Sequence, residues 1–140
     1  LFHGISGWAI RRMGTFPVKR GGADRTALRM ARRVLELGKP LLIFPEGTRT
    51  KDGKLGPAEI GVAMLAHSSK APVVPIYISG TQNAFSAGRK GLHLVKARIE
   101  FGEPLTFEAE YAAKGDRATL SAIGERIMAE IAALQAGSPS

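Results

Sequence analysis

One loop holds the residues best suited to chemistry. It reads Phe44-Pro45-Glu46-Gly47-Thr48-Arg49-Thr50. Gly47 admits a tight turn and lets a ligand approach the backbone closely. Thr48 offers a hydroxyl, Glu46 a carboxylate, and Arg49 a planar fork that matches phosphate or carboxylate. A second fork, Arg20, follows the short strand candidate Thr15-Phe16-Pro17-Val18-Lys19. In a parallel arrangement both forks leave strand ends at one rim, where open α/β sheets bind their ligands. Two guanidinium groups beside glycine-containing backbone describe a phosphate cradle. The same residues also admit a plainer arrangement, with Glu46 and Arg49 as a structural ion pair and Arg20 merely exposed. Spacing alone leaves both open. The chain has no G-x-x-x-x-G-K-[ST] and no G-x-G-x-x-G after a strand, so neither a P-loop nor a dinucleotide fingerprint is present.

The elements that must position these residues follow from periodicity. Residues 2–13 read as a short amphipathic helix bearing Phe2, Ile5, Trp8, Ile10 and Met13, suited to core packing or to lipid headgroups. Asp24 or Thr26 caps a helix running to about Leu37, with Ala27, Met30, Ala31, Val34 and Leu37 at helical spacing and Gly38 just beyond. Arg25, Arg29, Arg32 and Arg33 fall on its polar side, where Arg32 and Arg33 can pair with Glu36. Pro40-Leu41-Leu42-Ile43-Phe44 is a continuous apolar run, the pattern of a strand covered on both faces. Residues 58–67 form a short helix, and 73–78 form a strand with Pro75 marking a bulge, end or edge. Val95, Ala97, Ile99 and Phe101 alternate with polar residues, predicting a strand with one wet face. Asp116 caps a last helix with Leu120, Ile123, Ile127, Ile131 and Leu134 inward, ended by Gly137. Alternating helices and strands give the α/β class, a single domain with a largely parallel or mixed central sheet flanked by helices.

Composition bounds the function classes. The 140 residues suit one domain, and 44% hydrophobic with 23% charged is a globular balance. The absence of Cys excludes disulfides, Cys-based zinc sites and a thiol nucleophile. No cluster of His and carboxylates has ligand spacing, so no metal is expected. No apolar run approaches the about 20 residues of a membrane-spanning helix. Residues 1–54 carry the entire net charge of +8, while residues 55–140 balance. A basic half favours an anionic partner: a phosphorylated small molecule, an anionic lipid surface or nucleic acid. Aromatic residues are only 6% of the chain, too few for base-stacking platforms, so nucleic acid is not expected.

Phe44-Pro45-Glu46-Gly47-Thr48-Arg49 resembles the signature block of the glycerophospholipid acyltransferases. Gly14-Thr15-Phe16-Pro17-Val18-Lys19-Arg20 is similar to that family's acceptor-binding block, and Val73-Val74-Pro75-Ile76 to its later Val-Pro block; Gly7-Trp8 and Gly80-Thr81 are also typical. The resemblance covers roughly residues 1–105. It implies a glycerol-3-phosphate acyltransferase-like fold, with residues 1–137 forming the C-terminal portion of an acyltransferase domain and 138–140 a tail. It implies transfer of a fatty acyl group from acyl-CoA or acyl-carrier protein, as co-substrate rather than cofactor, to a lysophospholipid such as lysophosphatidic acid. By that similarity Arg20 and Arg49 hold the acceptor phosphate, Phe16 and Val18 line its pocket, and Glu46, Gly47 and Thr48 shape the loop. The substrate class places such an enzyme at the cytoplasmic face of a membrane.

Two departures stand out. The family's catalytic His, followed after four residues by Asp, has no counterpart: His3 has Trp8 at that spacing, and neither His67 nor His93 has an Asp there. No catalytic residue is therefore assigned within the chain. The expectation is a chain truncated before that block, inactive alone. The alternative is a non-catalytic phospholipid- or phosphate-binding module. Secondly, Pro57-Ala58-Glu59-Ile60-Gly61 places Glu59 where the family usually has Lys, which leaves the acceptor headgroup open.

Overall fold

The computed structural model describes residues 24–47, 55–81 and 96–138. The expected helix at 2–13, the strand at 15–19, the loop signals at 82–91, and Phe16, Val18, Arg20, Thr48 and Arg49 lie outside the described residues.

Helix α1 spans Arg25–Glu36 and opens on Asp24, whose Oδ1 accepts from the backbone N–H of Thr26 (3.0 Å) and Ala27 (3.2 Å). These bonds satisfy amides that the first turn leaves without partners. Its C-terminus closes as a Schellman motif: Gly38 at φ +68° donates to Leu35 O (2.9 Å), and Lys39 donates to Val34 O (3.2 Å). Ala27 and Ala31 are buried, and Arg25, Arg29, Arg32 and Arg33 are exposed. Arg32 and Arg33 meet Glu36 at 3.0 and 3.5 Å, solvent-exposed pairs that contribute little to stability.

Helix α2 (Ile60–Ser69) follows the signature loop. Strand β1 (Ile76–Ser79) pairs antiparallel with β2 (Arg98–Phe101), Ile76 opposite Phe101 and Ile78 opposite Ile99. Val73 and Leu105 extend the pairing as a bridge, with backbone bonds of 3.0 and 2.8 Å. Pro75 immediately precedes β1, at a strand end where its missing N–H costs no ladder bond. A short helix α3 (Glu108–Ala112), for which the sequence pattern gives no signal, leads to α4 (Arg117–Gly137). Asp116 caps α4 through the Thr119 amide at 2.9 Å, and that bond holds its carboxyl below the usual range.

The core lies where α2, α3, α4 and the Val73–Leu105 bridge meet. Ala63, Ala66, Leu105, Phe107, Ile123, Ile127 and Ile131 are buried together. Ile123, Ile127 and Ile131 repeat every four residues, forming one stripe of α4. Phe107, fully buried, meets Tyr111 at a tilt of 60° with ring centroids 5.8 Å apart and lies 5.2 Å beneath the Arg126 guanidinium. Tyr111 sends its hydroxyl to Ala71 O at 3.0 Å. His67 Nε2–H donates to Ala113 O at 3.2 Å, which ties α2 to the end of α3.

Two expectations are corrected. Residues 40–44 form no strand, and Leu42 and Phe44 are 65% and 66% exposed rather than covered on both faces. An apolar run becomes a strand only where neighbouring strands take its backbone donors and acceptors. Among the described residues, β1 and β2 pair with each other. The pair they form is antiparallel, as a mixed sheet admits, and the strand expected at 15–19 lies outside the described residues. In β2 the wet face is the apolar one. Ile99 and Phe101 are exposed beside Ile78, while Tyr77 packs against the core and Glu100 accepts a hydrogen bond from Ser138 Oγ at 2.6 Å. The register decides this, because it puts Tyr77 and Glu100 on the face toward α4.

Candidate functional site

The signature loop leaves residue 44 through a turn in which Gly47 N–H donates to Phe44 O at 3.1 Å. Gly47 sits at φ +64°, a conformation that residues with a Cβ rarely adopt. Glu46 then reaches across the loop, its Oε2 accepting the Gly56 N–H at 2.8 Å. The Glu46 carboxylate thus bridges the base of the segment that carries Thr48 and Arg49. The ends are drawn together once more by Glu59 N–H donating to Pro45 O at 2.8 Å.

The closed base rests on the core through small residues. Gly124 of α4 is buried, and a Cβ placed on it would lie 3.3 Å from the Ala58 Cβ. A side chain there would press on Ala58 more tightly than an ordinary contact, so the glycine lets α4 sit close beneath the downstream end of the loop. Glu59, at the N-terminus of α2, folds its side chain over Gly47; a Cβ on Gly47 would stand 2.9 Å from Glu59 Cγ.

Of the seven residues singled out from the sequence, the structure describes Glu46 and Gly47. It brings both to the loop base and gives Glu46 the Gly56 amide as partner, a bond that ties the loop whatever Arg49 does. The meeting of Arg20 with Arg49, and the places of Phe16, Val18 and Thr48, lie outside the described residues. Glu59, which stands where the family usually has Lys, packs at this loop base, and Gly56 and Gly124, which carry no motif signal, join it. A small cleft of ≈ 120 Å³ between α1 and α2, lined by Arg32, Leu35, Ser68 and Ser69, includes none of these residues. It is well short of the about 300 Å³ at which ligand pockets begin. Among the described residues no helix is long and apolar enough to cross a membrane, and no three His or carboxylate groups cluster as metal ligands.

Comparison with known proteins gives one consistent result. Residues 1–79 match the sequence model of the family described as Acyltransferase. A chloroplastic 1-acyl-sn-glycerol-3-phosphate acyltransferase of Brassica napus is 40% identical over 91 residues, covering 63% of this chain and 26% of that protein. The 1-acyl-sn-glycerol-3-phosphate acyltransferase of Bacillus subtilis is 29% identical over 90% of this chain and 60% of its own length. The crystal structure of the 1-acyl-sn-glycerophosphate (LPA) acyltransferase PlsC from Thermotoga maritima superposes with a TM-score of 0.65 at 26% identity, over 96% of this chain and 53% of that one. The α/β fold described above is thus that of PlsC. The chain spans between about a quarter and three fifths of the length of these relatives. With more than half of its residues matched by the family's pattern, and its fold shared with a solved member, the chain belongs to the acyltransferase family.

Proposed function

We propose that this protein transfers a fatty acyl group from a coenzyme A or acyl-carrier-protein thioester to the free hydroxyl of lysophosphatidic acid, giving phosphatidic acid. The observation that carries the reading is the family match over residues 1–79, the stretch containing Phe16, Val18, Arg20 and the loop Glu46–Arg49. In this reading Arg20 and Arg49 grip the acceptor phosphate, Phe16 and Val18 line its pocket, and Thr48 completes the loop that Glu46 closes. Each charge-assisted bond to the phosphate contributes about 1.5–3 kcal/mol. That energy holds the hydroxyl beside the thioester, where proximity lowers the barrier.

In the chemical step the hydroxyl oxygen attacks the thioester carbonyl, the C–O bond forms, the C–S bond breaks, and the hydroxyl proton passes through a base to the leaving thiolate. A His oriented by an Asp suits that base. No His within residues 1–140 has an Asp five residues on, so the reading requires such a pair from outside these residues. The acceptor resides in bilayers, so the enzyme works at a membrane surface, on its cytoplasmic face. The exposed arginines of α1 would favour anionic lipid there by about 1 kcal/mol per well-placed base.

The test uses the protein expressed from its complete gene, with lysophosphatidic acid and an acyl-CoA. Arg49→Ala lowers kcat/KM tenfold or more, a loss of about 1.4 kcal/mol in transition-state binding. An unchanged kcat/KM refutes the phosphate role of Arg49. Failure of the unaltered protein to form phosphatidic acid refutes the activity and leaves a phosphate-binding module.

A further inference from the structure

Helix α1 turns all four of its arginines to solvent. On a helix of 3.6 residues per turn, positions 25, 29, 32, 33 and 36 share one side, and Arg25, Arg29, Arg32, Arg33 and Glu36 are all exposed. The buried Ala27 and Ala31 lie on the opposite side, and α1 packs on α2. The charged face costs the isolated helix stability. Arg25 stands in the first turn, where the helix dipole disfavours a cation. Arg25 with Arg29, and Arg29 with Arg33, are like charges at i, i+4, which repel. Among the described residues, the ion pairs on this face are the two that Glu36 makes, with Arg32 Nε at 3.0 Å and Arg33 Nη1 at 3.5 Å, and neither includes Arg25 or Arg29. An anionic partner relieves the repulsion that remains.

Apolar side chains border the charges. Met30, Arg33 and Leu37 follow one another along the helix at spacings of three and four residues, and Met30 and Leu37 are 45% and 57% exposed. A row of phosphates alone leaves both in water. A bilayer surface offers anionic headgroups to the arginines and an acyl boundary to their apolar neighbours. We propose that this outer face of α1 docks the protein on an anionic bilayer. Arg25 and Arg29 supply the attraction, Met30 and Leu37 enter the headgroup layer, and Glu36 holds Arg32 and Arg33 back, so that the attraction stays below what four unpaired arginines would give. The inference deepens the acyltransferase reading, whose acceptor resides in a bilayer.

The experiment measures partition of the protein expressed from its complete gene onto vesicles of phosphatidylcholine, alone or with about a third phosphatidylglycerol. The ratio of the two cancels any contribution that does not depend on lipid charge. Gln replaces Arg with little loss of helix propensity. Each base beside an anionic surface strengthens binding about fivefold, so Arg25→Gln combined with Arg29→Gln lowers the ratio about thirtyfold. Glu36→Gln raises it about fivefold, and both changes shrink as salt rises. Arg98→Gln, on β2, leaves the ratio unchanged. Leu37→Ser weakens binding to both kinds of vesicle, and that loss persists in high salt. An unchanged ratio in either α1 charge variant, or an equal loss from Arg98→Gln, overturns the proposal. So does a double variant that keeps its vesicle binding and instead raises KM for an acyl-carrier-protein thioester but not for acyl-CoA, which marks an acidic protein as the partner. Partition is read without turnover, so a protein that binds as expected yet forms no phosphatidic acid overturns the acyltransferase reading and upholds the docking face.

Discussion

Replacing Glu46 by Ala removes the side-chain bond that, among the described residues, closes the signature loop, Oε2 to the Gly56 amide at 2.8 Å. A hydrogen bond to a charged group contributes about 1.5–3 kcal/mol net. Because Glu46 is only half-buried, the lower end applies, about 1.5 kcal/mol. That shifts the balance between closed and open loop about tenfold toward open. The direct readout is hydrogen exchange at the Gly56 amide, which quickens about tenfold while amides of α4 keep their rates. The functional readout is kcat/KM for the acceptor, which falls with the fraction of loop left closed, since affinity scales with the competent population. Glu46→Gln retains an acceptor oxygen without the charge, a bond of about 1 kcal/mol, and so loses less. The clamp is refuted if Glu46→Ala leaves Gly56 exchange unchanged, or if Gln and Ala quicken it equally.

Two further outcomes follow from the packing. Gly124→Leu forces side-chain volume into the contact with Ala58 and destabilises the chain by about 2 kcal/mol in urea titration; the strain falls on the downstream end of the loop, so acceptor kcat/KM declines as well. Burial, followed by the neighbouring Glu110 charge, holds Tyr111 above its ordinary value of 10.0, so the folded state favours the neutral phenol. Its contribution is intact below pH 10 and is lost as pH rises through the raised value. Tyr111→Phe gives up the bond to Ala71 O, lowering stability by about 1 kcal/mol at neutral pH, and flattens the alkaline decline in thermal melts followed above about pH 9.

Helices were legible in the sequence wherever a local signal and a long apolar period agreed. Asp24 and Gly38 mark the ends of α1 because capping is decided within a few residues. The Ile123, Ile127 and Ile131 stripe reveals the inner face of α4 because burial repeats with the helix. Strands were less legible. Residues 40–44 have the composition of a buried strand, but pairing depends on a partner that composition does not name. In β2 alternation was read correctly and its inside and outside reversed, since which face is covered depends on the register with β1 and the position of α4. In the site, the sequence pointed to Glu46 and Gly47 by residue type. It did not reveal the Gly56 amide, the Ala58 contact or the fold of Glu59 over Gly47, because each joins residues whose approach is set by the closed loop or by tertiary packing.

The family pattern stops at residue 79, but the hydrophobic interior does not. Ala63 and Ala66 on one side of that boundary share their contacts with Leu105, Phe107, Ile123, Ile127 and Ile131 on the other. Excising the matched segment would strip α2 of the surface it was shaped against and leave the loop ahead of it without a floor. The boundary drawn by likeness and the boundary drawn by cooperativity are therefore different lines, and dissection of this protein has to respect the second.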